Sequence, residues 1–199
     1  MIARYRDRAN SWLAICLMSA VLVLLTSCQS TASVAPPKQA ALKQLLVLID
    51  QRLAVAPLVA KAKWNSGAPI DDPAREKLIL DAVSAQAMEA GIDVKFAREF
   101  FQAQFDAGKL IQQHLHEQWR LAGQPHFTDA PDLGRDVRPV LDRLGPQILT
   151  TLRTVYPILH QAAANDFIEK QGKQLIRGDV DGAARKLALR PLLGQMQTH

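Results

Sequence analysis

Cysteine is scarce in this chain of 199 residues, which contains two, Cys16 and Cys28, both near the amino terminus. No cysteine follows residue 28, so the rest of the chain cannot form a disulfide, a thiol nucleophile or a cysteine-ligated metal site. Aromatic residues make up 6% of the chain and do not alternate with basic residues, as they do in proteins that bind single-stranded nucleic acid. We therefore predict no nucleic-acid partner and no metal.

Long apolar runs are also missing, apart from residues 13–25, which follow a segment with three arginines. This run is shorter than the roughly 20 residues of a membrane span and is typical of a signal peptide. It ends in LTSC, which resembles the lipobox of bacterial lipoproteins and predicts a signal peptide at 1–27 with lipidation of Cys28. Gln29 favours sorting to the outer membrane of a Gram-negative cell. An ordinary secretion signal and an uncleaved anchor are the alternatives.

The net charge is mildly positive. It falls from +5 to +3 when the predicted signal peptide removes three arginines and one aspartate. This bias suits a small anionic ligand or a lipid surface. Residues 28–38 are polar and contain proline, as a flexible tether would, and residues 39–199 are enough for one domain with a core. We expect an exported, periplasmic domain that contacts the membrane only through its lipid anchor.

Apolar residues recur at helical spacing through most of the domain, and no segment alternates as a strand does. The first predicted helix covers 39–64, with Pro57 inside it, and its apolar face is Leu42, Leu45, Leu46, Ile49, Leu53, Ala56 and Ala60. Asp72 before Pro73 is a typical start for the second helix. Further helices are predicted at 94–121, 133–154, 157–172 and 179–193. The fold class is all-α, a single-domain bundle of about six helices.

Charged residues cluster around the turn between the first two helices. Arg52 and Lys63 are eleven residues apart, so they share a helix face and lie about 16 Å apart along the axis, which leaves space for a small anion. Asp72 caps the second helix, and Arg75 and Glu76 lie in its first turn. Arg75 is unfavourable in the helix dipole there, which suggests another role. The alternative is that these are solvated surface charges of little energetic effect.

Two segments, LLVLIDQRLAVAPLVAKAKWNSGAPIDDPARE and FFQAQFDAGKLIQ, resemble the all-helical chorismate mutases, in particular their exported subclass. The resemblance extends from about residue 40 to residue 193 of this chain. That family has an arginine, a lysine eleven residues later, Asp-x-x-Arg-Glu after a short loop, and a glutamine or glutamate on the third helix. The residues of this chain that match are Arg52, Lys63, Asp72, Arg75, Glu76 and Gln112.

The resemblance implies one more arginine, from a later helix, that binds a substrate carboxylate. We assign it to Arg138, because its Arg-x-x-x-Asp spacing to Asp142 fits the family; Arg135 and Arg143 are the alternatives. Gly108 departs from the family, since relatives often carry serine or threonine there. Some exported relatives also have a disulfide that this chain lacks.

The implied reaction is the Claisen rearrangement of chorismate to prephenate, in aromatic amino acid biosynthesis, without cofactor or metal. Arg52 and Arg138 would bind the carboxylates, Lys63 and Gln112 would donate to the ether oxygen, and Glu76 would accept from the ring hydroxyl. Asp72 and Arg75 are expected to organise the end of the site that binds the ring hydroxyl of the substrate. Alternatives are an isochorismate-pyruvate lyase-like enzyme and a non-catalytic helical envelope lipoprotein. Exported relatives are often dimers, so a homodimer is also expected.

Overall fold

A computed structural model of the chain describes residues 33–177 and 182–194. The predicted signal peptide and Cys28 lie outside these residues. Contacts divide the chain after Ala32, and every helix below belongs to the second unit, Ser33–His199. The described residues contain helices and no strand, so the all-α prediction is confirmed. None of these helices combines the length and the apolar character that a membrane span requires.

Six α-helices are joined by short connections and two single helical turns. The α-helices are α1 Pro36–Ser66, α2 Pro73–Ala90, α3 Val94–Leu121, α4 Arg138–Val155, α5 Ala162–Leu175 and α6 Ala183–Leu193. A π-helical turn, Leu133–Val137, leads directly into α4, and a 3-10 turn, Tyr156–Ile158, follows it.

Several helix boundaries differ from the predicted ones, and α4, predicted from residue 133, begins at Arg138 after the π-helical turn. α1 begins at Pro36 rather than at residue 39, and Val34 is buried, so residues 36–38 of the predicted tether belong to the helix. The helix predicted at 157–172 is wrong at its start, because Tyr156–Ile158 forms the separate turn. For the helix predicted at 179–193, the structure gives Ala183–Leu193, and residues 179–181 lie outside the described part.

The core forms around α1, which packs against α3, α4 and α5. All seven apolar residues predicted on its buried face are 4% exposed or less. α3 adds four buried phenylalanines, of which Phe100 and Phe101 meet edge to face at 5.6 Å between ring centroids. Because one face of α1 is committed to this core, most of its polar residues lie on the rest of its surface.

Turns and caps fix where the ends of α1 and α2 meet. Gly67 ends α1 with φ of 68°, a left-handed conformation that favours glycine. The Asp72 carboxylate then accepts a hydrogen bond from the backbone N–H of Arg75 at 3.2 Å and begins α2. The last turn of α1 and the first turn of α2 therefore lie side by side.

The connection between α3 and α4 is attached to the end of α1. The Asn65 side chain donates to the carbonyl of Phe127 at 2.7 Å and accepts from its backbone N–H at 2.9 Å. The Phe127 ring meets Trp119 at 4.7 Å between centroids. These contacts fix the path of the chain toward Leu133–Val137 and therefore the start of α4.

Candidate active site

A cavity of about 440 Å³ lies among α1, α2, α3, the π-helical turn and α4. Much of its wall is apolar, including Val59, Phe101, Phe105 and Leu141. The seven residues predicted to form a site all line this cavity: Arg52, Lys63, Asp72, Arg75, Glu76, Gln112 and Arg138. The structure therefore brings together side chains from α1, α2, α3 and α4 that the sequence places up to 86 residues apart.

α1 contributes two cations that have no carboxylate partner within the described residues. The guanidinium carbon of Arg52 lies 5.2 Å from the centre of the Phe105 ring, and its Nε is buried without a hydrogen-bond acceptor. The Lys63 side chain is buried, and its ammonium donates to the backbone carbonyl of Ile70. Burial lowers the pKa of Arg52 to about 10, although Asp142 and Glu76 act in the opposite direction. Burial likewise lowers the pKa of Lys63.

Two ion pairs connect α2 to α4, and the arginine belongs to α4 in one pair and to α2 in the other. Arg138 of α4 donates to the Asp72 carboxylate of the α2 cap at 3.1 Å. Arg75 of α2 pairs with Asp142 of α4. These four residues are half-exposed, so each pair contributes little stability by itself, and their joint effect is to set the distance between the two helices.

The alternatives to Arg138 lie elsewhere. Arg135 pairs with its neighbour Asp136, its side chain is 79% exposed, and it does not line the cavity. Arg143 is exposed and also outside the cavity lining. Arg138 is thus the arginine of this segment that reaches the cavity.

One face of α3 carries Gln104, Gly108 and Gln112 at successive turns. Gln112 is buried and donates from Nε2 to the carbonyl of Gly108 at 3.2 Å, while its Oε1 has no partner. An added Cβ at Gly108 would meet nothing within 4 Å, so this position leaves open space in the cavity. Gln104 donates from Nε2 to the carbonyl of Ala188 in α6 at 2.8 Å, and its buried Oε1 also has no partner.

Two lining residues, Gln104 and Lys109, were missed by the sequence reasoning. Gln104 precedes Gln112 by eight residues, a spacing that keeps both on one helix face and could have identified it. Lys109 is three residues before Gln112 and could have been identified in the same way. Its ammonium lies among three carboxylates, of which helical spacing predicts Asp106 but not Asp71 and Glu76, which come from other segments.

The cavity has an excess of positive charge. Its cations are Arg52, Lys63, Arg75, Lys109 and Arg138, and its carboxylates are Asp72, Glu76 and Asp142. Asp71 and Asp106, outside the lining, also pair with Lys109, so the two positive charges left without a carboxylate partner in the described residues are those of Arg52 and Lys63. Such a cavity favours a small anion with two negative charges. Within residues 33–177 and 182–194, no three histidine, cysteine, aspartate or glutamate side chains are arranged to hold a metal.

Residues 43–113 match the protein family described as chorismate mutase type II. The chain is 31% identical over 129 residues to the secreted chorismate mutase of Mycolicibacterium smegmatis, a match that covers 63% of this chain and 71% of that protein. The family match includes every predicted site residue except Arg138.

Solved structures agree on the fold. A chorismate mutase from Burkholderia thailandensis has a TM-score of 0.68 and 35% identity, covering 76% of this chain and 98% of that one. A secreted chorismate mutase from Yersinia pestis has a TM-score of 0.59 over 75% of this chain and 94% of its own. At 21% identity, this second likeness shows the fold alone.

The burial of Arg52 predicts a stability gain when its charge is removed. The charged form is disfavoured in the folded state, which lowers the pKa of Arg52 to about 10, so the penalty is fully present at every pH below that value. This shift corresponds to at most about 3 kcal/mol, against about 0.5–1 kcal/mol for the lost contact with Phe105. We expect Arg52→Met to raise the free energy of unfolding of the unliganded protein by about 1–2 kcal/mol at pH 7, measured by urea denaturation.

The matched control is Arg143→Met, which removes an exposed arginine outside the cavity and should change the free energy of unfolding by less than about 0.5 kcal/mol. A less stable Arg52→Met protein would show that this cation is already balanced in the empty cavity.

Proposed function

This chain belongs to the chorismate mutase family and is an isomerase that converts chorismate to prephenate, and we propose that it does so without a covalent intermediate. In this proposal the cavity selects the reactive conformer of the substrate and stabilises the charge that develops at the breaking ether bond. The observation that carries the proposal is the pair of cations Arg52, half-buried with a buried Nε, and Lys63, buried, without carboxylate partners in the described residues. Chorismate has two carboxylates, which match the two unbalanced charges.

The substrate carboxylates would bind at opposite ends of the cavity. Arg52 provides a guanidinium that has no competing carboxylate, so it can form two parallel hydrogen bonds to one carboxylate. Arg138 uses one Nη to hold Asp72 and keeps other N–H donors for the second carboxylate. With both ends fixed, the enolpyruvyl side chain is held over the ring, and the two reacting carbons are brought together.

The ether oxygen needs donors that are in position before the reaction begins. Lys63 is held by the Ile70 carbonyl, which occupies one of its three N–H groups. Gln112 is held by the Gly108 carbonyl, which occupies one of its two amide hydrogens. The remaining hydrogens can point at the oxygen on which charge builds as the C–O bond breaks and the C–C bond forms. The rearrangement is intramolecular, so no nucleophile or proton transfer is required.

The ring hydroxyl would donate to Glu76, whose carboxylate lies at the first turn of α2. Asp72 and Arg75 organise this end of the cavity through their ion pairs to α4. Glu76 therefore orients the ring, while the cations hold the two carboxylates.

The first test is Lys63→Ala, assayed as chorismate disappearance with prephenate detection. Losing a preorganised donor at the ether oxygen should reduce kcat by about 10²- to 10³-fold. Asp72→Ala should cost less, because Asp72 acts on the hydroxyl end. The control is Lys61→Ala, two residues away, whose side chain pairs with Asp129 outside the cavity. A Lys63→Ala enzyme with nearly normal turnover would contradict the mechanism.

A second test concerns pH. The Gln112 amide is a donor at every pH, so activity should stay roughly flat between about pH 5 and 8. In Gln112→Glu the new side chain faces the Gly108 carbonyl and donates only when protonated, so the activity optimum should move to acid pH. Gln113→Glu, an exposed neighbour, should leave the profile unchanged. A wild-type profile that collapses above pH 6 would count against Gln112 as the donor.

The chain is an exported protein, as the secreted relatives indicate. We infer in addition that it is lipidated at Cys28 after removal of residues 1–27 and is anchored on the periplasmic side of the outer membrane. The sequence LTSC and the glutamine after it support this inference. The homodimer implied by the resemblance stays a prediction.

Lipidation is tested by Cys28→Ser, which should move the enzyme from the membrane fraction to the soluble periplasmic fraction and prevent incorporation of a labelled fatty acid. Cys16→Ser changes the other cysteine, within the predicted signal, and should leave both readouts as in the unaltered chain. An unaltered chain that takes up no labelled fatty acid would refute the anchor.

A further inference from the structure

Lys109 lies inside the cavity wall at the centre of three carboxylates. Its ammonium is 3.1 Å from Asp106 of α3, 3.2 Å from Glu76 of α2 and 3.3 Å from Asp71 of the preceding turn. Only 19% of its side chain is exposed, so it is not one of the solvated lysines that form most surface ion pairs. Three separate segments of the chain therefore meet at one cation.

The number of partners limits what Lys109 can do. An ammonium has three N–H donors, and three carboxylates lie within ion-pair distance. Lys109 thus has no donor left for a ligand, unlike Arg52. Any effect of Lys109 on the reaction must pass through the carboxylates that it holds.

Glu76 is the one of these carboxylates that lines the cavity. Its Oε1 lies 3.2 Å from the Lys109 ammonium, and its Oε2 accepts from the Gln102 amide at 3.3 Å. Gln102 also donates to Asp106 at 3.0 Å, which ties the same group together from a second side. Both oxygens of Glu76 are therefore fixed by α3, and the carboxylate has one orientation toward the cavity.

We propose that Lys109 is a positioning residue, which holds Glu76 in the orientation that receives the substrate hydroxyl. This inference rests on the role of Glu76 in the proposed function. Lys109 also separates three carboxylates that would otherwise repel one another beside a cavity that binds a dianion. Asp106 and Glu76 outweigh the effect of burial and raise the pKa of Lys109, so its charge persists throughout the working pH range.

The test is a double-mutant cycle between Lys109→Met and Glu76→Gln. Lys109→Met alone should lower kcat by about 10- to 100-fold, because the loss of a charge-assisted contact leaves Glu76 free to turn away. Glu76→Gln keeps a carbonyl acceptor, so its activity remains measurable. In that background Lys109→Met should cost less than about threefold, since the group that it positions has already been changed. Lys109→Arg should restore most of the loss.

Equal losses in the two backgrounds would overturn the proposal. So would a loss confined to KM that added salt diminishes, because salt screens a general attraction of the dianion, which is not positioning. The matched control is Lys77→Met, next to Glu76, whose exposed side chain pairs with Asp81 at 2.6 Å and should leave both constants unchanged. Failure of the proposed function would look different, because the unaltered chain would then form no prephenate.

Discussion

Positive charge buried without a partner is the constraint on which this site depends. An isolated cation in a protein interior loses its hydration, and the protein must supply the free energy to keep it there. Arg52 and Lys63 are held by α1, whose apolar residues Leu42, Leu45, Leu46, Ile49 and Leu53 are fully buried in the core. Burial of the apolar core therefore offsets the free-energy cost of the unpaired cations, and α1 contributes residues to both the core and the site.

The other charges follow from this arrangement. If every cation in the cavity lacked a partner, the empty protein would carry a much larger penalty. Arg75, Arg138 and Lys109 are instead paired with carboxylates, and these pairs connect α2 to α3 and α4. The paired charges connect the helices that surround the cavity, and in the proposed function the unpaired ones bind the anion. Arginine and lysine side chains thus serve both purposes, the paired ones in connecting helices and the unpaired ones in the proposed binding of the anion.

Capping residues and apolar spacing in the sequence predicted the helices whose ends are set by interactions between residues close in the chain. The bounds of α2 and α3 agree with the prediction, because side-chain caps and a left-handed glycine mark them in the sequence. The start of α5 was wrong because Pro157 fits a short 3-10 turn as well as it fits a first helical turn. Spacing predicted that Arg52 and Lys63 share a helix face, since eleven residues return a helix to the same side, and the family resemblance assigned them to a site.

Contacts between distant segments account for what the sequence did not reveal. Three arginines lie in the π-helical turn and the first turns of α4, and which one reaches the cavity depends on how Asn65 and Phe127 direct the connection from α3. The position of Lys109 depends on Asp71 and Glu76, which precede it by more than 30 residues. Neither outcome is encoded in the spacing of one helix.

The attachment of Phe127 to Asn65 has a consequence for how the chain can change. Asn65 is two residues from Lys63, so the last turn of α1 carries both a ligand-facing charge and the anchor of the long connection. Residues inserted or deleted between this anchor and Leu133 would be absorbed on the surface, far from the reacting atoms. Length variation in that stretch is thereby kept away from the cavity, whereas a displacement of the Asn65 anchor would also displace the turn of α1 that carries Lys63.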